Sequence, residues 1–165
     1  MMQARRLGRF GVWRSASLVT PELAVGIERL GFGALWLGSS PAGDLIRAEE
    51  LLGATTTLTL ATSIVNMWQD QPEDVARSFA RVQRRHPGRF LLGVGAGHRE
   101  AAQRYARPYE TLARYVDVLR AGASPATAWC WPPWALRCSA SPGTAPPALS
   151  LISSRPSTPA RRGPC

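Results

Sequence analysis

Between residues 10 and 119 the sequence repeats one pattern four times, a short apolar run followed by a longer amphipathic stretch. The runs lie at 10–13, 34–38, 57–65 and 90–93. Strand-like and helix-like segments that alternate at this length form βα units, whose helical crossovers lay the strands parallel in one sheet. No other feature of the chain restricts its fold as tightly.

The boundaries of these units are written in local chemistry. Thr20 is suited to cap a helix, with Pro21 at its first position and Glu22 behind it. Leu23, Ile27 and Leu30 then share one face, and Gly31 is placed to end the helix. Asp44 is a candidate cap for a second helix through Leu45, Leu51 and Leu52. The third run is rich in Thr, Leu, Ile and Val, as strands are. Pro72, Glu73 and Asp74 open a third helix with Val75, Phe79 and Val82 on its apolar side, and His86-Pro87-Gly88 ends it. Tyr109, Leu112, Tyr115, Val116 and Leu119 supply the face of a fourth.

Four units are half of an eight-unit α/β barrel, which typically takes about 250 residues. The expected fold class is therefore α/β, a partial (β/α)8 TIM barrel over residues 1–120 followed by an irregular or disordered tail over 121–165. Half a barrel leaves two open strand edges and an uncovered interior. The tail holds nine of the fourteen prolines, three of the six tryptophans and all three cysteines, with no hydrophobic period of 2 or 3.6.

Its Trp129-Cys130-Trp131-Pro132-Pro133-Trp134 cluster is foreign to a Pro/Ser/Ala linker. Tryptophan has the single codon TGG, so a shift of two bases forces V-L-A-x-x-G across this stretch. GC-rich codon choices extend it into ordinary helical sequence that regains acids and loses Trp and Cys. The tail thus reads as translated out of frame.

Charge divides at the same boundary. Up to Arg120 there are 16 arginines and all 11 acids, and after it four arginines and no acid, so the net +9 splits into +5 and +4. There is no lysine, a bias that GC-rich codons produce. The front arginines are dispersed among acids, Glu28 with Arg29, Glu100 with Arg104 and Asp117 with Arg120, as on a solvated helix face. The basic stripe of a nucleic-acid binder is missing. Cys130, Cys138 and Cys165 match no zinc spacing and no disulfide framework, so no metal is expected. No apolar run approaches the roughly 18 residues of a membrane span, and Met1 to Arg9 lacks a signal-type hydrophobic stretch. A cytoplasmic protein without membrane or nucleic-acid partners is expected.

Barrel sites form at the C-terminal ends of the strands, which directs attention to 13–15, 38–40, 63–66 and 93–99. In Gly93-Val94-Gly95-Ala96-Gly97-His98 the glycines allow a close backbone approach to phosphate, or simply a tight turn from strand to helix. The spacing is not that of the dinucleotide fingerprint. Asn66 could direct its amide to a ring or ribose, or merely end a strand. His98 could act as a general acid or base, whereas His86 reads as a helix-end residue. Trp13 and Trp36 suit either pocket walls or a buried barrel layer. No paired carboxylates, Ser-His-Asp order or metal-ligand cluster stands out.

The stretches LGRFGVW, ELAVGIERLGFGALWLG, LLGATTTLTLATSIVNMW and PEDVARSFARVQRRHPGRFLLGVGAGHRE, continuing to RPYETLARYVDVL, resemble the luciferase-like monooxygenase superfamily. They are most similar to its coenzyme F420-dependent oxidoreductases of actinobacterial type, over about residues 7 to 119. The resemblance implies a barrel that binds a deazaflavin and passes hydride between its C5 and a small organic substrate, with FMN the alternative cofactor. It implies a non-prolyl cis peptide at Ser63-Ile64, in a bulge behind the ring, with Asn66 lining the cofactor. It places Gly95, Ala96, Gly97 and His98 in the phosphate-side loop. For the intact family it implies a homodimer. The family often carries an acid or histidine after the second strand, where this chain has Ser39 and Ser40, so the catalytic residue is unassigned. With half its units this chain is expected to be an incomplete barrel without activity; a non-enzymatic remnant or basic interaction module is the alternative.

Overall fold

The computed structural model describes residues 7–97, 107–122 and 150–151. The chain runs through strand β1 (Gly11–Ser15), a 3-10 turn (Ala16–Leu18), helix α1 (Pro21–Arg29), β2 (Ala34–Gly38), α2 (Ile46–Ala54), β3 (Thr59–Thr62), β4 (Val65–Asn66), α3 (Pro72–Arg85), β5 (Phe90–Leu91), β6 (Gly93–Gly95), α4 (Pro108–Gly122) and β7 (Ser150–Leu151). All strand pairs are parallel, in the orders β1-β2-β3-β5 and β4-β6-β7. The expected third strand is thus two strands parted at Ser63 and Ile64, and the fourth is two parted at Leu92. From the tail, Ser150 and Leu151 pair with Gly93 and Val94, beyond the fourth unit.

Local signals set the helix ends. Thr20 Oγ1 accepts the Leu23 amide at 3.2 Å, and Gly31, at φ 83°, takes the left-handed turn that ends α1. Asp44 Oδ1 accepts the Ile46 amide at 3.1 Å, while Leu45, at φ 57°, is the residue that turns into α2. His86 closes α3, its amide donating to Val82 O at 2.8 Å.

One sheet face packs on the helices. Leu35, Leu37, Leu60, Phe90 and Val94 meet Ile27, Leu51, Leu52, Val75, Phe79, Val82 and Leu119 in a single apolar core. The Phe79 and Phe90 rings meet at 5.9 Å between centroids. On α1 the buried pair is Ala24 and Ile27, and the expected partners Leu23 and Leu30 are exposed. On α4 Tyr115, Val116 and Leu119 are buried, whereas Tyr109 stands 66% exposed. Periodicity gives a helix its apolar stripe but not its neighbours. Among the described residues the large exposed apolar side chains are Phe10, Trp13, Leu18, Leu23, Leu30, Ile46 and Tyr109. All but Ile46 belong to the first unit or the last helix, the flanks that a closed ring would cover.

The opposite sheet face would line a barrel interior. Trp13, Trp36, Ala61 and Leu91 stand in one register row on it. The two indoles fit because the neighbouring strand offers glycine: a Cβ on Gly38 would lie 2.0 Å from Trp13 Cζ2, and one on Gly11 would lie 3.1 Å from Trp36 Nε1. Trp13 is nevertheless 54% exposed, with no further unit over it among the described residues.

At the N-terminal end of the sheet, the α2–β3 loop at 55–58 is gripped from two sides. Glu28 Oε1 accepts the amides of Thr56 at 3.0 Å, Thr57 at 2.5 Å and Leu58 at 2.8 Å, and the Thr57 hydroxyl at 2.8 Å. Arg89 donates to Leu52 O at 3.3 Å, Thr55 O at 2.8 Å, Thr55 Oγ1 at 2.7 Å and Leu58 O at 3.1 Å. Glu28 is therefore no solvated partner of Arg29. Burial raises its carboxyl pKa, but the bonds from Thr57, Leu58 and Thr56 outweigh that and hold it at about 2. Asp117 and Arg120 do pair along α4, at 3.7 Å. Glu100 and Arg104 lie outside the described residues.

Two measurements check these contacts. A folded pKa below the unfolded one adds stability that is complete above pH 4.5 and lost as pH falls toward about 2. Glu28→Gln should flatten that acid limb and cost about 1.5–3 kcal/mol in urea unfolding at neutral pH. Gly38→Ala should cost about 1–3 kcal/mol by displacing the Trp13 indole. Gly53→Ala, whose Cβ meets nothing within 4 Å, should be neutral or stabilising.

Candidate functional site

The C-terminal ends of the strands carry the irregular backbone. Ser39 and Ser40, which follow β2, have φ values of 60° and 51°, a left-handed conformation uncommon outside glycine. The Ser63-Ile64 peptide that separates β3 from β4 is cis. Across it the register with the fourth unit slips. Leu60 faces Phe90 and Ala61 faces Leu91, a separation of 30 residues, whereas Val65 faces Val94 and Asn66 faces Gly95, a separation of 29. One extra residue stands on the third strand, which defines a β-bulge, a device common beside active sites. The Ser63 amide donates to Leu37 O at 2.7 Å, fixing the near side of the bulge to β2. Ser63 and Ile64 remain partly buried.

Beyond the bulge, residues 66–68 and 95–97 are joined by several bonds. Asn66 is 2% exposed, and its Oδ1 accepts the Trp68 amide at 3.0 Å, folding the side chain over its own turn. Asn66 O also accepts the amides of Gln69 at 3.0 Å and Asp70 at 3.3 Å. The Met67 amide donates to Gly95 O at 3.0 Å, and the Trp68 indole N–H to Ala96 O at 3.0 Å. Gly97 turns at φ 64°, and a Cβ there would meet Asn66 Nδ2 at 3.3 Å. Among the described residues the side chain in Gly97's way is thus one that the expected site already contains.

The structure accordingly brings Asn66, Gly95, Ala96 and Gly97 together, with Ser63 and Ile64 just before β4 in the chain. His98 lies outside the described residues. Trp68 was not anticipated, although an indole two residues after a strand-ending Asn is a visible signal. Among the described residues no group of three or more His, Cys, Asp or Glu side chains could hold a metal ion. No helix among them is long and apolar enough to cross a membrane.

The contact from Trp68 to Ala96 is open to test. Trp68→Phe keeps the ring and loses the donor, and should cost about 1 kcal/mol while accelerating proteolysis within the 95–97 turn. Unchanged proteolysis would mean that the indole bond does not hold the turn.

The sequence profile of the family described as luciferase-like monooxygenase matches residues 19–131. No curated protein matches the chain. Among solved structures, an F420-dependent secondary alcohol dehydrogenase in complex with an F420-acetone adduct is similar at 22% identity and TM-score 0.58, over 68% of this chain and 41% of that one. The apo form of MsnO8 is similar at 22% identity and TM-score 0.61, over 90% of this chain and 50% of that one. The coenzyme F420 dependent tetrahydromethanopterin reductase of Methanopyrus kandleri is similar at 16% identity and TM-score 0.54, over 68% of this chain and 39% of that one. At these identities the likeness is one of fold, and the chain spans half or less of the length of each structure. Since the profile matches well over half of its residues, the chain belongs to the luciferase-like monooxygenase family.

Proposed function

We propose that this chain is the cofactor-binding half of a cytoplasmic F420-dependent oxidoreductase that acts on a small organic substrate. The observation that carries the reading is the bulge at Ser63-Ile64 beside the Gly95 to Gly97 turn, both at the C-terminal ends of parallel strands, where barrel enzymes place their sites. Family membership and the two F420-dependent proteins of the same fold support it.

The residues present fit such a group. The bulge offers a wall for a flat ring, with Asn66 two residues beyond it in the chain. At Gly97 the left-handed turn lacks a side chain, so backbone amides can approach phosphate oxygens. The family resemblance assigns His98 to the same loop. When bound, the deazaflavin supplies a hydride at its C5. This chain's own residues bind and orient it; Ser39 and Ser40, after β2, offer hydroxyls but no acid or histidine to move a proton. Among the described residues the face that carries Trp13 is open, and on this reading the chain alone binds without turnover. The Pro- and Trp-rich tail is explained as the second half read in a shifted frame.

Titration with F420 and with FMN, followed by cofactor absorbance and fluorescence, tests the reading. Saturable binding of F420, weakened at least roughly tenfold by Gly97→Val (about 1.4 kcal/mol), is expected. Tight FMN binding with none for F420 would transfer the site to the flavin-dependent branch. Binding of neither would overturn the proposal, and salt-sensitive binding to nucleic acid would favour an interaction module instead.

A further inference from the structure

The register slip leaves a gap in the ladder between the third and fourth strands, and one side chain fills it. Thr62, the last residue of β3, is fully buried. Its Oγ1 accepts the Gly93 amide at 2.8 Å and donates to Gly93 O at 2.9 Å. A hydroxyl has one donor and two lone pairs, so both bonds can hold at once. Main-chain pairing ends at Ala61 with Leu91 and resumes at Val65 with Val94. The Thr62 backbone meanwhile stays in register with Leu37 of β2. Thr62 therefore holds the fourth unit through its side chain, one residue before Ser63, whose amide is bonded to Leu37 O of β2.

We infer that Thr62 is a positioning residue for the candidate cofactor site, its hydroxyl standing in for the missing ladder rung and setting where Ser63 and Ile64 lie against the Gly95 to Gly97 turn. The inference rests on the reading of that site given above, since the segment it positions is the proposed ring wall. The chemistry is specific to a hydroxyl. Valine has the same shape, but it would leave the buried Gly93 amide without its acceptor. Serine keeps both bonds and loses only a methyl. A residue that merely filled space would rank the two replacements the other way.

Amide hydrogen exchange on the full chain separates these cases. The Leu60 amide, bonded to Arg89 O at 2.9 Å, reports on the ladder before the bulge, and the Met67 amide, bonded to Gly95 O at 3.0 Å, on the ladder after it. Thr62→Val should accelerate exchange at Gly93 and Met67 by roughly tenfold or more, a loss of about 1.4 kcal/mol of local protection, and leave Leu60 near its original rate. Thr62→Ser should keep all three near wild type. Equal acceleration at Leu60 and Met67 in the valine variant would show general destabilisation and overturn the positioning role, as would no change at Met67. If the valine variant does not fold, the serine variant still decides: faster exchange at Met67 alone would assign the effect to the methyl and sink the proposal. In the F420 titration, Thr62→Val should weaken binding by a larger factor than Thr62→Ser. A wild-type chain that binds neither F420 nor FMN would remove the cofactor reading, while the exchange rates would still settle whether Thr62 holds the bulge in register.

Discussion

The grip on the loop at 55–58 ties the four units into one body. A carboxylate from α1 takes the loop's amides, and a guanidinium from the start of the fourth strand takes its carbonyls. Neither set of backbone groups has a ladder partner in the turn, so without Glu28 and Arg89 the loop would have to present them to water. The two side chains reach the loop from either side of it in the sequence. They link units one and four through the connection between two and three, which adjacent strand pairing cannot do. The clamp also starts β3 at a defined height in the sheet, and the position of the bulge at its other end follows from that.

The two ends of the sheet divide the work. At the N-terminal end the contacts are charge-assisted and multiple, suited to holding a shape. At the C-terminal end the backbone leaves the regular regions at Ser39, Ser40 and Gly97, and the strands break register. A sheet this irregular on one side needs a rigid other side, because backbone held in uncommon conformations persists only where its surroundings fix it.

How much of this could be read from the sequence depends on how far apart the interacting groups lie. Thr20, Pro21 and Gly31 mark their helix because capping is complete within a few residues. The apolar runs of α3 and of the strands are legible for the same reason, since Val75, Phe79 and Val82 need only a period to define a face. Glu28 is not legible. Its neighbour Arg29 suggests a surface pair, but its actual partners follow by 28 to 30 residues. Nor could the sequence show that Leu23 and Leu30 are left exposed among the described residues, because a stripe does not reveal whether a neighbour exists. The split at Ser63 and Ile64 is a property of two strands together and came into view only through family resemblance. The Gly95 to Gly97 turn was visible as a glycine pattern, though its tie to Asn66 and Trp68 was not.

The uneven distribution of exposed apolar side chains gives the molecule two unlike sides. Over α2 and α3 the surface carries the exposed pair Arg47 with Glu50, and Arg81 and Arg85 around a largely covered Glu49, charges already matched within the molecule. Over the first unit it carries Phe10, Trp13, Leu18, Leu23 and Leu30. In colloidal terms the particle is patchy. An encounter through the charged side releases almost no ordered water, whereas one through the first unit does, so the attraction between two molecules depends on which way each is facing.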